Sequence, residues 1–416
     1  MESKKLNEKI KLKDVLSDKG YIRGPFGSAL RRNEMLTEGI PVYEQQNAIY
    51  DNRIFRYFID ENKYNTLERF TVKPGDLIIS CSGTVGKVSI IKNNDPKGII
   101  SQALLILRVN ENIILPEFLK YFFSSYEGYN SLVSRSTGSV QVNISKRQVI
   151  ENIPISVPKL NVQKKIVNIL KIIDKKIELN NEINNNLMEL GYLIFKEYII
   201  NFKGHGGNEL RYSDFGYIPK EWTVDSLLNI ADYQNGLAMQ KYRPELNEES
   251  IPVLKIKELR QGYCDGNSDI CKANLDSNYV VELGDVIFAW SGSLMLKLWT
   301  SDICGLNQHL FKVTSEKYEK WFYFYWTQYY LNKFIKIAED KATTMGHIKR
   351  TDLKESLVVI PDKNTYNKLN NLLKPLFAQI IEKNNEINKL TKIRDILLPK
   401  LMSGEIDVSD INFDLE

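Results

Sequence analysis

A heptad repeat of leucine and isoleucine near the end of the chain constrains the fold more than any other feature of the sequence. Over residues 365–402, apolar residues recur at alternating steps of four and three, broken only by Lys383 and Arg394, at Leu369, Leu373, Leu376, Ile380, Ile387, Leu390, Leu397 and Leu401. Most of the other positions are Lys, Asn, Glu or Gln, so this seam is too narrow for a helix buried inside a domain. It predicts a long helix that lies against another helix of similar length.

The same spacing occurs earlier in the chain, over residues 162–202. Its seam positions are Ile166, Leu170, Ile173, Ile177, Leu187 and Ile194, with Asn180 and Asn184 between them. At about 1.5 Å per residue, each helix is roughly 60 Å long. The first helix carries the chain away and the second must run back, so the pair is predicted to be antiparallel. Pro375 predicts a kink in the last helix, or a short helix that ends near Lys374.

The segments before the two helices repeat the same motifs in the same order. Ile40-Pro41-Val42-Tyr43 matches Ile251-Pro252-Val253-Leu254, Gly75-Asp76 matches Gly284-Asp285, Ser82-Gly83-Thr84 matches Ser291-Gly292-Ser293, and Gln102 matches Gln308. Asn235-Gly236-Leu237-Ala238 stands where the first copy has Pro25-Phe26-Gly27-Ser28. This order indicates a tandem duplication of a unit made of one domain and one long helix.

These patterns predict an α+β fold in which two similar mixed α/β domains are separated by a pair of long antiparallel α-helices. The helices form a coiled-coil-like spacer, and the whole is a pseudo-two-fold tandem repeat. The predicted boundaries are 1–158 for the first domain, 159–203 for the first spacer helix, 204–216 for a flexible linker, 217–362 for the second domain, 363–403 for the second spacer helix and 404–416 for an acidic tail.

Composition excludes several classes of protein. The net charge of +4 is small for a chain of 416 residues, so any basic surface must be local. The four cysteines have no Cys-x-x-Cys pair, which favours free thiols in a reducing compartment, and no metal site is predicted. The N-terminus has no signal region and no apolar run is long enough to span a membrane. These features predict a cytoplasmic protein.

Motifs for catalysis are missing from the sequence. Gly83-Thr84-Val85-Gly86-Lys87 fails the phosphate-loop pattern, because Cys81 and Val88 replace the required glycine and hydroxyl residues. The sequence also lacks a Gly-x-Gly-x-x-Gly motif, an amino-methyltransferase loop and a histidine cluster. No catalytic residue and no cofactor is therefore assigned to this chain.

Polar, basic and aromatic residues recur in corresponding loops of the two copies. Such residues hold phosphates and pair with base edges, although for any single one a solvated surface is the simpler interpretation. As a set they predict a DNA-binding surface formed by Arg31, Arg32, Gln45, Gln46, Asn47, Tyr50, Arg53, Lys87, Thr137, Gln141, Asn143 and Lys146 in the first copy, and by Lys241, Tyr242, Arg243, Lys255, Lys257, Lys297, Thr344, His347, Lys349 and Arg350 in the second.

Four motifs and their order resemble the specificity subunit of Type I restriction-modification systems. They are GPFGSAL at 24–30, KPGDLIISCSGTVGK at 73–87, STGSVQVNIS at 136–145 and IRDILLPKLMSGEI at 393–406, and the resemblance covers essentially the whole chain. It implies that each domain is a target-recognition domain for one half of a bipartite site on double-stranded DNA. It also implies that the helix pair binds two methyltransferase subunits, which carry S-adenosylmethionine and methylate adenine, and that motor-nuclease restriction subunits can join.

Two other interpretations remain at this stage. A cytoplasmic coiled-coil scaffold whose domains bind proteins is the main alternative, and a self-sufficient methyltransferase is disfavoured by the missing motifs. DNA binding through phosphates weakens steeply as salt rises, whereas an apolar protein contact does not. Salt dependence therefore separates the first two interpretations.

Overall fold

The chain forms two compact units in a computed structural model that describes residues 9–135, 142–204, 209–340 and 346–411. Unit 1 consists of Met1–Asp174 and Lys392–Glu416, and unit 2 consists of Lys175–Thr391. Each unit therefore contains one of the repeated segments together with part of each long helix.

The two long helices have nearly the predicted bounds. The first is Leu160–Phe195, continued by one π-helical turn at Lys196–Ile200, and the last is Lys363–Ser403. None of the predicted seam residues is exposed. In unit 1, Ile166 and Leu170 share a core with Leu398 and Leu401, near the end of the last helix.

The helices are antiparallel in unit 2 as well. There Phe195, at the end of the first helix, shares a core with Leu369, Leu373 and Phe377 near the start of the last helix. The heptad pattern misses Phe195 and Phe377, because they lie beside the seam and not on it.

A separate short helix that ends near Lys374 is wrong, because the last helix continues through Pro375. An interior proline removes one backbone hydrogen bond and costs about 3 kcal/mol. Leu373 and Phe377, on either side of the proline, are buried in the core of unit 2. Burying two such side chains contributes about 3–6 kcal/mol, which offsets that cost.

A four-stranded antiparallel sheet, here called the central sheet, organises unit 1. Its strands, in spatial order, are Leu16–Arg23, Leu104–Val109, Leu77–Ser80 and Val88–Ile90. A second sheet contains Phe58–Ile59, Ile40–Tyr43 and Ile99–Ile100, and short strand pairs join Lys9–Lys11 to Pro154–Ser156 and Val133–Arg135 to Val142–Ile144. The helices of this unit are Leu12–Val15, Gln45–Ile49, Glu61–Thr66, Pro116–Ser124, Tyr126–Leu132 and Arg147–Glu151.

Unit 2 repeats this topology, which confirms the predicted duplication. Its central sheet has the order Asp232–Asn235, Leu310–Thr314, Val286–Ala289 and Met295–Leu298. The second sheet contains Ile270–Lys272, Ser250–Leu254, Cys304–Leu306 and Val280–Val281, and Thr223–Ser226 pairs with Leu357–Ile360. The helices are Leu227–Ile230, Ile256–Gln261, Lys320–Asp340 and Arg350–Lys354.

The copies differ most in one helix. Lys320–Asp340 is a single long helix in unit 2, at the place where unit 1 has the two shorter helices Pro116–Ser124 and Tyr126–Leu132. Trp321, Trp326 and their aromatic neighbours along its first turns are buried. These large rings fill the core of unit 2, which explains why this segment carries so many aromatic residues.

Two segments outside the predicted domains and spacer helices contain ordered structure. Within the predicted linker 204–216, Leu210–Ser213 forms a hairpin with Gly216–Pro219, closed by an edge-to-face pair of Tyr212 and Tyr217 rings 5.4 Å apart. Within the predicted tail 404–416, Val408 is buried in the core of unit 1. Burial therefore orders the tail at Val408, whereas strand pairing holds the hairpin, whose two tyrosine rings stay exposed.

Candidate nucleic-acid interface

One end of the central sheet is built in the same way in both units. The first strand of that sheet is followed by a glycine, Gly24 in unit 1 and Gly236 in unit 2. A Cβ atom on Gly24 would lie 1.9 Å from the backbone oxygen of Ser101, and one on Gly236 would lie 2.3 Å from that of Asn307. Only glycine allows two backbones to approach so closely.

Strand register shows which side chains are equivalent at this end. Arg23 pairs with Leu105, and Asn235 pairs with Phe311 at the matching position of unit 2. The sequence comparison that set Asn235 against Pro25 is therefore wrong by two positions, because it followed the loop and not the strand. Cys81 and Trp290, which follow the equivalent strands Leu77–Ser80 and Val286–Ala289, occupy the second matching position.

Two of the predicted DNA-binding residues of unit 1 are occupied by contacts inside the protein. Asn47 is fully buried, and its side-chain amide donates to the backbone oxygens of Ile54 at 3.0 Å and Asn52 at 3.2 Å. Arg53 donates to the carboxylate of Asp95 at 2.6 Å and to the backbone oxygen of Ile90 at 2.8 Å. Both side chains thus fix the loop that carries Tyr50.

Other predicted residues of unit 1 face solvent. Tyr50 is 72% exposed at the tip of that loop. The side chain of Gln45 accepts a hydrogen bond from the Ser82 hydroxyl at 2.9 Å, so the helix Gln45–Ile49 is joined to the turn after the strand Leu77–Ser80. Gln46 donates to the backbone oxygen of Ile54 at 3.2 Å. The exposed cations of this group are Arg31, Arg32 and Lys87.

The predicted residue Asn143 lies within the third motif of the first copy and Lys146 directly follows that motif, and both are exposed. Lys146 lines a cleft of unit 1 together with Lys19, Arg23 and Arg69, which the sequence reasoning missed. Arg23 also neighbours the buried thiol of Cys81, whose pKa burial raises to about 11, so that this thiol is neutral.

The equivalent end of unit 2 is organised around Trp290. Its indole N–H donates to the side-chain oxygen of Asn235 at 3.1 Å, and its ring lies edge-on to His347, with 6.2 Å between centroids. The ring of His309 is 6.3 Å away and hydrogen-bonds the Ser291 hydroxyl through Nδ1 at 2.9 Å. Of these residues only His347 was predicted to bind DNA. The sequence signal that could have indicated this cluster is Trp290, because the first copy has no tryptophan at the matching position.

Some of the remaining predicted residues of unit 2 make contacts inside the protein, and others are exposed to solvent. Lys255 is paired with Asp269, and Arg350 donates to the backbone oxygen of Tyr233 at 2.9 Å. Lys297 donates to the backbone oxygen of Arg260 at 2.8 Å, and burial lowers its pKa. The exposed side chains are Lys241, Arg243, Lys257 and Lys349, and Tyr242 is half-buried.

Some predicted features lie outside what the structure describes. Thr137, Gln141 and Thr344 fall within the segments 136–141 and 341–345, which are not described. Among the described residues, no group of three His, Cys, Asp or Glu side chains is arranged to hold a metal ion. None of the helices in the described ranges has a stretch long and apolar enough to cross a membrane. The four cysteines are free thiols.

Comparison with known proteins gives matches over both copies. A sequence model of the family described as "Type I restriction modification DNA specificity domain" matches residues 5–189 and residues 219–392. The chain is 28% identical over 372 residues to the Type I restriction enzyme MjaIX specificity subunit of Methanocaldococcus jannaschii, which covers 85% of this chain and 84% of that protein. The HindI specificity subunit of Haemophilus influenzae is 20% identical, over 80% of this chain and 87% of that protein.

A solved structure matches the fold over nearly the full length. It is the crystal structure of the S subunit of a Type I restriction-modification system from M. genitalium, with a TM-score of 0.52, 13% identity, and coverage of 97% of this chain and 98% of that chain. At this identity the likeness concerns the fold alone.

Proposed function

The chain belongs to the family of Type I restriction-modification specificity subunits, and on this basis we propose that it reads a bipartite DNA site, with one half-site for each repeated unit. Catalysis lies on partner subunits in this proposal. Two methyltransferase subunits carry S-adenosylmethionine and methylate adenine, and motor-nuclease subunits join the complex for restriction.

One observation supports two different half-sites more than any other. The two units have the same strand order and the same close backbone approach at Gly24 and Gly236, yet the side chains beside the glycine differ in chemistry. Unit 1 presents Arg23, and unit 2 presents Asn235 with Trp290. Arginine suits phosphates as well as guanine edges, whereas asparagine suits adenine edges, so the two units can contact DNA differently at this position, as two different half-sites require.

The predicted loop residues fall into two roles in this proposal. The exposed side chains of Tyr50 and Lys87, and the half-buried side chain of Gln45, contact the DNA. Asn47 and Arg53 act indirectly, because their internal hydrogen bonds hold the loop of Tyr50 in place. Substitution of the first group should weaken DNA binding without unfolding the chain, as expected for contacts at base edges and phosphates.

An apolar stripe on the first long helix fits a partner subunit. Leu179, Leu190 and Leu193 are each about half exposed, and at 100° per residue they fall within an arc of about 60°. This arc lies away from the buried side of the same helix, which contains Asn180 and Phe195. We propose that a methyltransferase subunit covers the stripe, since the relatives of this chain are subunits of Type I enzymes.

Replacing Leu190 and Leu193 with glutamate should abolish association with the methyltransferase subunit. Each leucine buried at an interface contributes about 1.5–3 kcal/mol, so the double variant should bind at least about a hundredfold more weakly. Analytical ultracentrifugation of the two subunits measures this change. Glu178→Ala, about 100° away round the helix from Leu179, is the matched control and should bind normally. Normal assembly of the double variant would contradict the docking proposal.

Sequencing of modified bases tests the function as a whole. Genomic DNA from cells with and without the gene is compared, and a bipartite adenine-methylation motif that disappears with the gene is the expected result. The motif also gives the two half-sites directly. An unchanged methylome would favour the scaffold interpretation, and salt-independent binding of a protein partner would then support it.

A further inference from the structure

One cleft of unit 1 is lined by an excess of positive charge. Six cationic side chains surround it, and Asp18 is the one carboxylate among its described lining residues; the cations are Lys19, Arg23, Arg69, Arg108, Lys146 and Arg147. They come from four separate segments of the chain, between residues 19 and 147. We call this feature the basic cleft.

Among the residues that the structure describes, two of the six cations pair with a carboxylate. Arg108 makes two hydrogen bonds of 2.7 Å to the carboxylate of Asp76, and Arg147 makes one of 2.7 Å to Glu151. Within the described ranges, the other four are in no ion pair with a carboxylate. Like charges gathered in this way repel one another unless an anion enters between them.

The side chain of Arg23 gives a second indication that the cleft binds an anion. Its Nη1 atom is buried and has no hydrogen-bond partner among the described residues. Buried polar atoms of native proteins are almost always satisfied, and an exception needs an explanation such as an absent ion or ligand. The guanidinium lies 5.7 Å from the ring centroid of Phe26, which is itself 59% exposed. This aromatic ring supports the guanidinium at the rim of the cleft.

The backbone has an unusual conformation at one of the residues that line the cleft. The strand Leu16–Arg23 changes register between Leu16 and Tyr21, and Lys19 within this irregular stretch has φ +55°. Residues other than glycine rarely adopt this left-handed conformation, and such exceptions cluster at functional sites. The exposed side chain of Lys19, within this irregular stretch, is one of the cations that line the cleft.

We propose that the basic cleft binds a phosphodiester group of the DNA backbone, held by Arg23, Arg69 and Lys146. Guanidinium groups pair with phosphate in a forked geometry, and lysine adds a point charge. This inference rests on the proposed function, and it adds a phosphate anchor that is separate from the loop of Tyr50. Such an anchor fixes the position of unit 1 on the duplex without reading sequence.

Salt dependence of DNA binding tests the phosphodiester assignment. The full chain is titrated with a duplex that carries the methylated site found by sequencing, and with a scrambled duplex. The slope of log affinity against log salt falls by about 0.9 for each phosphate contact that is lost. Arg69→Gln with Lys146→Gln removes this one phosphate contact and should therefore reduce the slope by about 1 on both duplexes. Both side chains are exposed, so thermal unfolding should be unchanged.

Two further variants separate charge from packing. Arg69→Lys with Lys146→Arg keeps the charge and should keep most of the slope. Lys13→Gln removes an exposed lysine of unit 1 that does not line the cleft and should leave the slope unchanged. An unchanged slope in the Gln double variant, while the wild type prefers its site, would overturn the phosphodiester assignment and leave the proposed function intact.

Inorganic phosphate distinguishes a free anion from a DNA backbone. If phosphate raises the melting temperature of the wild type but not of the Gln double variant, while both have the same DNA salt slope, the cleft takes a free anion and the assignment is wrong. A wild-type chain that binds neither duplex would overturn the proposed function and the phosphate anchor together, whereas equal binding to both duplexes would overturn the reading of a half-site and leave the anchor to the slope measurement.

Discussion

Replacing Arg108 with methionine is expected to lower the free energy of unfolding of unit 1 by about 3–5 kcal/mol. Asp76 has no exposed side-chain surface, and Arg108 supplies two of its hydrogen bonds at 2.7 Å. Without the guanidinium, the buried carboxylate keeps one hydrogen-bond donor among the described residues, the backbone N–H of Lys73. Amide hydrogen exchange in the strand Leu77–Ser80 measures the loss inside unit 1.

The loss of stability in Arg108→Met should depend on pH, and the direction of this dependence identifies its cause. Burial raises the pKa of Asp76 even though Arg108 opposes the effect, so removal of Arg108 raises this pKa further. A carboxyl group with a raised pKa binds its proton more tightly in the folded state than in the unfolded state. The variant should therefore recover stability as pH falls from neutral through the pKa of Asp76.

An ion pair at the equivalent aspartate of unit 2, Asp285, is the matched control for this variant. Lys312 contacts Asp285 at 2.8 Å, but the Asp285 side chain keeps 20% of its exposure. Lys312→Met should therefore cost only about 1–2 kcal/mol, because water can solvate the remaining carboxylate. Equal losses in the two units, or a loss in Arg108→Met that does not change with pH, would show that packing and not charge is responsible.

Exchanging residues 204–361 for the matching segment of another specificity subunit is expected to replace one half of the methylated motif and to leave the other half unchanged. The structure determines where to cut. A junction at residue 217 would split the hairpin of Leu210–Ser213 and Gly216–Pro219. Asp362 should stay with the last helix, because its carboxylate accepts from the backbone N–H groups of Asn364 and Thr365 at 2.9 and 3.1 Å.

The exchange is read by sequencing of modified bases in cells that express the chimera. A chimera that receives back its own segment through the same junctions is the control and should reproduce the parent motif. The donor segment must carry a tryptophan at position 222, since its indole donates to Asp362 at 3.2 Å. A change in both half-sites would reject independent reading by the two units.

Periodic features of the sequence predicted the fold well. The heptad seam gave both long helices to within a few residues of Leu160–Phe195 and Lys363–Ser403, because a repeated spacing averages out single exceptions such as Lys383. The order of motifs gave the duplication for the same reason. The expectation of a helix end near Pro375 was wrong. The preference of proline against a helix interior is local, and burial of Leu373 and Phe377 in the core of unit 2 outweighs it.

Polar function was harder to predict, because it depends on partners that are distant in sequence. Asn47 and Gln45 look equivalent in the chain, but only Asn47 is buried and satisfied inside the protein. Arg53 was predicted to contact DNA from its residue type and its place in a loop. Its ion pair with Asp95, 42 residues away, could not be predicted from the sequence. The basic cleft is assembled from residues spread over four segments, so no local motif predicts it.

The close backbone approach at Gly24 and Gly236 also bears on how such a chain evolves. In both copies the glycine fixes the path of the backbone, and the neighbouring side chains, Arg23 in one and Asn235 in the other, take no part in that fit. After a gene duplication, mutations at these neighbours therefore leave the strand pairing intact. Two initially identical copies can then diverge in chemistry by single substitutions, with no intermediate that fails to fold.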